Sequence, residues 1–465
     1  MLSQATHATH GQSAAERLRA HLLAQLVCLG RHTLSALLIT NGQLHQDWSA
    51  DYRLYSHQRL APDELFAQIR QGALQSLEPD QPLVVAMDDS IFRKTGRQIL
   101  GVGYRRDPLS PPFRVNLVLG MRFVQLSALV HQQDGFSRMI PIDFQQAPLP
   151  KRPPRNAPED QQLLYQAQLA AANINHLALQ RVQSLRDQLD AEQDPKRPRD
   201  LRIVVDGRFT NAKLLKHLPH HTTLIGRIRR DAKLFFLPQA QAATGRKRVY
   251  GQEAPTPEEL LKDPSKEFQI VQAQLGERSC QFRVKSLGPL RALQAGRGHQ
   301  LQLLVIAPLG YRLRKGSKLL YRQPAFLICT DPTLSIQSLL QHYLWRWDIE
   351  INFRDQKSLL GVGQAQVRHP NSVQNQPATA IAAYGLLLLA AAQCDLKALQ
   401  PPKWRSDPQL KRLSTANLIN LLRHELWHAS IRPKRFTHFR SDASPDQNPQ
   451  KLQPELRSAV FYASA

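Results

Sequence analysis

Cysteine is scarce in this chain, which has only four among its 465 residues. Cys28, Cys280, Cys329 and Cys394 are widely scattered, and no two of them form a Cys-x-x-Cys pair. This spacing excludes a recognisable cysteine-based zinc site. We interpret the four as reduced core residues of a protein that works inside the cell.

Long apolar runs are also missing. The longest, residues 378–392, contains Tyr384 and Gly385 and is shorter than the roughly 20 residues that span a bilayer. Residues 1–16 are polar and do not contain the apolar core of a signal peptide. We therefore expect a cytoplasmic protein with no membrane partner, and a core helix over residues 378–392.

A glycine-rich nucleotide-binding loop is lacking as well. The segment Gly101-Val102-Gly103 has no third glycine at the dinucleotide-binding spacing, and no acidic residue is placed to bind a ribose. A turn is the better interpretation.

Acidic residues are few relative to basic ones. The chain has 37 Asp and Glu against 61 Lys and Arg, a formal net charge of +24 and a pI near 10.3. Self-repulsion of this size is tolerable mainly when a polyanion neutralises it, and nucleic acid is the leading candidate.

Three of the few acidic positions stand out by their local setting. The pair Asp88-Asp89 ends the apolar run 83–87, Asp206 ends the apolar run 203–205, and Glu350 lies in the helical segment 343–360. Carboxylates at two strand ends and on a later helix can hold two divalent ions against a phosphodiester. The pattern indicates an enzyme that cuts and transfers DNA strands.

The helical segment 343–360 carries a polar stripe. At about 100° per residue, Tyr343, Arg346, Glu350 and Lys357 fall within roughly 60° of one another. Apolar side chains, two Trp among them, occupy much of the remaining circumference, so the stripe is predicted to face a site. The alternative is a solvated face with i, i+4 charge pairs.

The order of elements predicts an α/β protein with an RNase H-like core. A central strand, two further strands, a helix and a strand ending in Asp206 precede a β-rich insertion and the Glu350 helix. The predicted division begins with a helical N-terminal domain (residues 1–80) and a first core part (81–230). The β-rich insertion (231–322), a second core part (323–395) and a basic, helical C-terminal region (396–465) follow. The first domain is predicted either to contact DNA or to form a structural cap. The last is predicted to contact DNA or to dimerise, with a disordered tail beyond residue 441 equally compatible with the sequence.

Basic residues are dense around the insertion, where they predict a surface that follows DNA phosphates. They are Arg227, Arg229, Arg230, Arg246, Lys247, Arg248, Arg312, Arg314, Lys315 and Lys318. A solvated turn cluster is the alternative for any single one of them.

The run YLWRWDIE at residues 343–350, followed by Lys357, resembles the Tyr-x2-Arg-x3-Glu-x6-Lys signature of DDE transposases of bacterial insertion sequences. This is the insertion-sequence-4-like cut-and-paste group. The segment 87–90 is similar to the block around that family's first aspartate, and Lys94-Thr95-Gly96 to the Lys-x-Gly that often follows. The segment 203–207 is similar to the second block. The three blocks occur in the expected order between about residues 80 and 370.

The resemblance implies that Asp89, Asp206 and Glu350 are catalytic and hold two Mg²⁺ ions, with Mn²⁺ as an alternative metal. Asp89 is preferred to Asp88 because it directly precedes Ser90, as in the family block. Adjacent strand residues point to opposite sides, so only one of the two can serve, and Asp88 stays an alternative.

The resemblance also implies DNA-binding roles for Tyr343, Arg346, Lys357 and Lys94, the Arg by bidentate contact with phosphate and Lys357 as a point charge. It implies transposon-end and target double-stranded DNA as partners, a homodimer on DNA, and excision through a DNA hairpin. The hairpin step is the weaker expectation because the insertion has no Trp. An aromatic stacking platform there would have to be Phe235, Phe236, Tyr250, Tyr311 or Tyr321.

Two other functions fit the same residues. One is an RNase H-like nuclease that hydrolyses DNA without joining ends, and the other is an inactive transposase-derived DNA-binding regulator. The polar stripe argues against the simple nuclease, and the three retained acids argue against the inactive regulator.

Overall fold

The structure is a computed structural model of the whole chain. It describes residues 8–9, 11–107, 110–111, 113–131, 137–192, 197–239, 247–275, 278–293, 295, 298–314, 316–394 and 413–427. Most of the predicted C-terminal region, including the basic segments 403–412 and 432–440, therefore lies outside the described residues.

Helices occur in both terminal regions and between the strands. They are α1 (Gln12–Val27), α2 (Leu34–Thr40), α3 (Ser49–Ser56), α4 (Pro62–Gln75), α5 (Glu159–Ala171), α6 (Ile174–Glu192), α7 (Ala212–Lys216), α8 (Pro257–Lys262), α9 (Ile336–Trp345), α10 (Asp348–Ser358), α11 (Pro370–Gln393) and α12 (Thr415–Trp427).

Strands fill the middle of the chain. They are β1 (Leu83–Arg93), β2 (Gly103–Arg106), β3 (Leu117–His131), β4 (Ser137–Ala147), β5 (Leu201–Val205), β6 (Thr222–Arg227), β7 (Leu234–Phe236), β8 (Gln269–Leu275), β9 (Arg278–Ala292), β10 (Leu301–Ile306), β11 (Gly310–Tyr311), β12 (Leu320–Tyr321) and β13 (Ala325–Cys329).

One large mixed sheet forms the centre of the fold. Its strands lie in the order β2-β3-β1-β5-β6-β13-β10-β9-β7, with β4 paired to β3 and β8 paired to β9. β1 is antiparallel to β3 and parallel to β5, and β5 is parallel to β6. The α/β class with an RNase H-like core, predicted from the sequence, is confirmed.

The central parallel strands are short apolar runs because helices cover both of their faces. Residues 83–87 of β1 and 203–205 of β5 are all buried. The polar residues that end these runs, Asp88 and Asp206, are partly exposed and mark where the covered part of the sheet stops.

The strands of the insertion belong to the same sheet as the core. β13 pairs antiparallel with β6, and β10 pairs antiparallel with β13 and β9, so hydrogen bonding continues without interruption. β11 and β12 pair only with each other, as a small separate hairpin in the described part of the chain. The insertion thus extends the core sheet.

The N-terminal helices pack on the late helix α11. α1, α3 and α4 all contact α11, and their buried residues join the core cluster of the sheet. The buried Gln25 side chain donates a hydrogen bond of 2.6 Å to the carbonyl of Leu360, just beyond α10. No helix among the described residues has the length and apolar character needed to cross a membrane.

Candidate active site

Asp88 and Asp206 occupy matching positions on two neighbouring strands. β1 and β5 are parallel, and the last paired residues are Met87 and Val205, directly before the two acids. Residues in register on neighbouring strands point to the same face of a sheet. β1 itself continues to Arg93, paired there only with β3. Beyond Met87, β1 is therefore no longer paired with β5, and the two carboxylates lie where this pairing ends.

The electrostatics of Asp88 reflect this neighbourhood. Burial raises the pKa of its carboxyl, and the negative charge of Asp206 raises it further, to about 7, while the Arg346 guanidinium acts in the opposite direction. An ionised Asp88 is thus costly in this conformation, and a cation beside the two carboxylates would relieve the cost.

Asp89 lies on the other face of β1. Its carboxylate accepts a 2.6 Å hydrogen bond from Arg122 Nε and forms an ion pair of 3.4 Å with Arg208 Nε. The sequence-based preference for Asp89 as the partner of Asp206 therefore disagrees with the geometry, which favours the alternative, Asp88. The reason is the strand pleat, which turns Asp88 to the same face as Asp206 because β5 ends in register with Asp88.

The segment that carries the polar stripe consists of two helices where the sequence predicted one. α9 ends at Trp345 and α10 begins at Asp348, and the amides of Trp347, Ile349 and Glu350 bond to carbonyls three residues earlier. This is a tight 3₁₀-like turn with right-handed backbone angles, so the chain continues in nearly the same direction. The predicted stripe is retained across the turn.

Arg346 connects the stripe to β1. Its Nη1 lies 3.2 Å from Asp88 Oδ2 and its Nη2 lies 3.0 Å from Glu350 Oε1, so one guanidinium bridges the two carboxylates. The Arg346 side chain is 10% exposed, and its guanidinium carbon lies 5.6 Å from the centre of the Tyr343 ring. The structure thus brings Tyr343, Arg346, Glu350 and Asp88 together.

Lys357 lies about two turns after Glu350 on the same face of α10, and on the same side of β1. Its Nζ donates a hydrogen bond of 2.5 Å to the hydroxyl of Ser90, which is two residues after Asp88 and on the same face. Burial lowers the pKa of Lys357, and the positive charge of Arg93 lowers it further. The Lys357 ammonium group is already partly desolvated, so a DNA phosphate that binds it would displace little water.

A buried polar network fixes α10 on the sheet. Asn352 donates hydrogen bonds to the Met139 carbonyl at 2.9 Å and the Ser127 hydroxyl at 3.2 Å, and it accepts one from the Tyr384 hydroxyl at 3.0 Å. Gln356 donates to Gln125 on β3 at 2.8 Å. These bonds set the rotation of α10 and hence the direction of Glu350.

Lys94 does not fit the DNA-binding role that the sequence suggested. Its side chain is buried, and its ammonium group donates hydrogen bonds to the carbonyls of Gly363 at 3.0 Å and Ala365 at 2.8 Å. Burial lowers its pKa to about 8. Lys94 thus links the end of β1 to the loop after α10.

A comparison with protein families identifies the chain at this point. The family described as DDE superfamily endonuclease matches residues 5–285, which is more than half of the chain. The chain belongs to this family. A comparison with curated proteins found no match.

Membership supports a nuclease or transposase that acts on DNA. The matched part of this DDE superfamily endonuclease includes β1 with Asp88 and β5 with its following Asp206. The matched part ends before Glu350, so the choice of Glu350 as the third acid is based on the geometry around Arg346.

Endonucleases of this superfamily generally use divalent metal ions. The residues at the site suit such an ion, because carboxylate oxygens are the ligands that Mg²⁺ and Mn²⁺ prefer and because Asp88 and Asp206 repel each other. Within the described ranges, no three Asp, Glu, His or Cys side chains are close enough to hold a metal in this conformation. Arg346 lies between Asp88 and Glu350, where its positive charge neutralises them.

Two arginines beside the acids were not predicted from the sequence. Arg122 comes from β3 and Arg208 from the turn after β5, and both bind Asp89. The spacing Asp206-Gly207-Arg208 was a possible signal, but Arg122 is placed only by the pairing of β1 with β3.

Proposed function

We propose that this DDE superfamily endonuclease is a transposase that cuts DNA at transposon ends and joins those ends to target DNA. The observation that carries the proposal is the in-register pair Asp88 and Asp206, faced by a helix that presents Arg346 and Glu350. Such a cluster places acids and a phosphate-binding cation on one small surface of a strongly basic protein.

In this proposal Asp88, Asp206 and Glu350 are the catalytic carboxylates and would hold two Mg²⁺ or Mn²⁺ ions. When bound, such ions activate the attacking water or 3′-hydroxyl and stabilise the leaving oxygen. Asp206 is held in place by its own turn, since its Oδ1 accepts a hydrogen bond from the Arg208 amide at 2.9 Å. Asp89 would position Arg122 and Arg208 beside the site.

Arg346 would exchange partners when DNA binds. Without substrate its guanidinium neutralises Asp88 and Glu350, and a phosphate of the scissile strand offers the same fork an equivalent bidentate partner. The Tyr343 ring lies next to the Arg346 guanidinium and helps to position it. Lys357 would bind a neighbouring phosphate as a point charge. The exchange would free both carboxylates at the moment the substrate arrives.

We further propose that excision passes through a DNA hairpin and that two copies of the chain act on a pair of ends. An extruded base needs an aromatic surface to stack on. Among the aromatic candidates, Tyr311 and Tyr321 are exposed on the β11–β12 hairpin, beside Arg312 and Arg322. Phe235 instead packs against Tyr250, with ring centres 5.2 Å apart.

The decisive experiment is a strand-transfer assay. The purified protein is mixed with Mg²⁺, a target plasmid and DNA fragments from the two sides of its gene, where the proposal expects inverted repeats. Joined products with short target duplications are expected for the wild type. Asp88→Asn and Glu350→Gln should abolish cleavage and joining while retaining binding to the end fragment.

The controls separate the alternatives. Cleavage without any joining would identify a simple nuclease, and binding without cleavage would identify a regulator. Full activity of Asp88→Asn together with an inactive Asp89→Asn would refute the choice of Asp88 and restore Asp89 as the first acid.

A further inference from the structure

A large cavity begins directly at Asp206 and extends away from the other acids. Its volume is about 1060 Å³, and it lies between the core elements β6 and α7 on one side and α8 and β9 of the insertion on the other. Asp206 and Arg208 form the end nearest the candidate active site. The cavity therefore joins the catalytic edge of the sheet to the insertion.

The charge of the cavity is strongly positive. Five cationic side chains line it against the two carboxylates of Asp206 and Glu258, and the five are Arg208, Arg227, Arg229, Arg230 and Lys233. Arg230 and Lys233 are 72% and 64% exposed, and their ion pairs with Glu258 and Glu253 are long, at 3.6 Å. Arg227 and Arg229 are exposed and form no ion pair with any carboxylate in the described part of the chain. These groups have free capacity for phosphates.

The deeper lining is apolar. Ile228, Leu261 and Phe326 contribute to it, together with the stems of the arginines. A small free anion would need only the cations, whereas an apolar surface next to cations suits a ligand with both phosphates and flat apolar groups. Nucleotides in a single strand have this composition, because unpaired bases expose their faces.

The size of the cavity excludes a duplex inside it. A cube with this volume of about 1060 Å³ has an edge of roughly 10 Å, whereas one groove of a B-DNA duplex, the major groove, is already about 12 Å wide. A duplex can only lie across the opening, while roughly two or three unpaired nucleotides fit within.

We propose that this cavity binds a single-stranded segment of DNA that leaves the catalytic carboxylates, with its phosphates on Arg227 and Arg229 and its bases against the apolar lining. The inference rests on the proposed function and names the substrate form that the site takes: a duplex end with an unpaired strand. It predicts that the strand continues from Asp206 toward the insertion.

The test compares two DNA probes of the same arbitrary sequence without divalent metal, so that no cleavage occurs. One is a blunt duplex and the other carries a single-stranded extension of about six nucleotides. The double variant Arg227→Gln/Arg229→Gln should lose the preference for the extended probe. Its slope of log affinity against log salt for that probe should fall by about 1.4, since each single-strand phosphate contact contributes about 0.7.

Two further variants control for a general loss of positive charge and for misfolding. Lys266→Gln/Arg278→Gln removes two exposed cations of the insertion outside the cavity and should leave both probes unaffected. Glu258→Gln removes an anion from the cavity and should strengthen binding of the extended probe, a gain that misfolding cannot produce.

Equal losses for blunt and extended probes in the Arg227→Gln/Arg229→Gln variant would overturn the proposal, as would no loss at all or no gain with Glu258→Gln. Failure of the proposed function looks different. In that case the wild type would neither cut nor join DNA in the strand-transfer assay, while the preference for the extended probe would remain.

Discussion

Replacing Asp88 with asparagine is expected to stabilise the protein in the absence of metal and DNA, and more so as the pH rises. The pKa of Asp88 is raised to about 7 by burial and by Asp206, from an ordinary value of 3.8. A carboxyl with a raised folded-state pKa binds more protons when folded. It therefore contributes stability at low pH that is lost as the pH rises from about 4 through 7.

The magnitude follows from these two pKa values. Between pH 5 and pH 8 the wild type should lose about 2.5 kcal/mol of stability through this one group, and Asp88→Asn should not. The side chain is 14% exposed, so solvent screening reduces the effect only modestly. For a chain of this size the difference corresponds to a few degrees in Tm.

Thermal melting of the two proteins at pH 5, 6, 7 and 8 in the presence of a chelator measures the effect. Asp89→Asn is the matched control, because it removes the same charge one residue away but also the ion pairs of Asp89 with Arg122 and Arg208. It should destabilise the protein by roughly 1–3 kcal/mol. A Tm that Asp88→Asn lowers as Asp89→Asn does would contradict the raised pKa of Asp88, as would a Tm difference from the wild type that does not change between pH 5 and pH 8.

Further changes test other parts of the site. Arg346→Gln should tighten Mn²⁺ binding in the absence of DNA, measured by calorimetry, yet slow cleavage at least tenfold because a phosphate contact is lost. Lys357→Ala should weaken end binding and reduce its salt dependence by about one phosphate contact; an unchanged salt slope would contradict the role. Asn352→Leu should cost roughly 2–4 kcal/mol in a melting experiment, since several buried groups lose their partners, whereas Tyr384→Phe should cost about 1 kcal/mol. Chelation by EDTA should stop cleavage but not binding, and restoration by Mg²⁺ completes that test.

Local sequence patterns were sufficient to predict the central strands and the α/β class. Residues 83–87 and 203–205 are uninterrupted apolar runs, which are typical of strands covered on both faces. The stripe of Tyr343, Arg346 and Glu350 was also predictable, because its spacing is a local property of helical backbone. The 3₁₀-like turn at residues 346–347 was not, since it changes the direction of the chain too little to alter the pattern.

The assignment of the first acid could not be predicted from the residues around it. Asp88 and Asp89 are identical in type, and the neighbouring Ser90 favoured the second. The choice depends on the register between β1 and β5, which are far apart in sequence. The structural role of Lys94 likewise depends on the carbonyls of Gly363 and Ala365, which only the folded chain brings next to its ammonium group.

By itself the sequence determined the composition of this protein: its excess of positive charge, its apolar strands, its acids at the ends of two apolar runs and its polar helical stripe. Tertiary structure alone decided which of these groups meet. It pairs Asp88 with Arg346, turns Asp89 toward Arg122, and joins the insertion to the core sheet. The physical reason is that charge and periodicity are local properties of the chain, whereas strand register and the contacts of a buried side chain are set by residues that are distant in the sequence, 33 positions for Asp89 and Arg122 and 258 for Asp88 and Arg346.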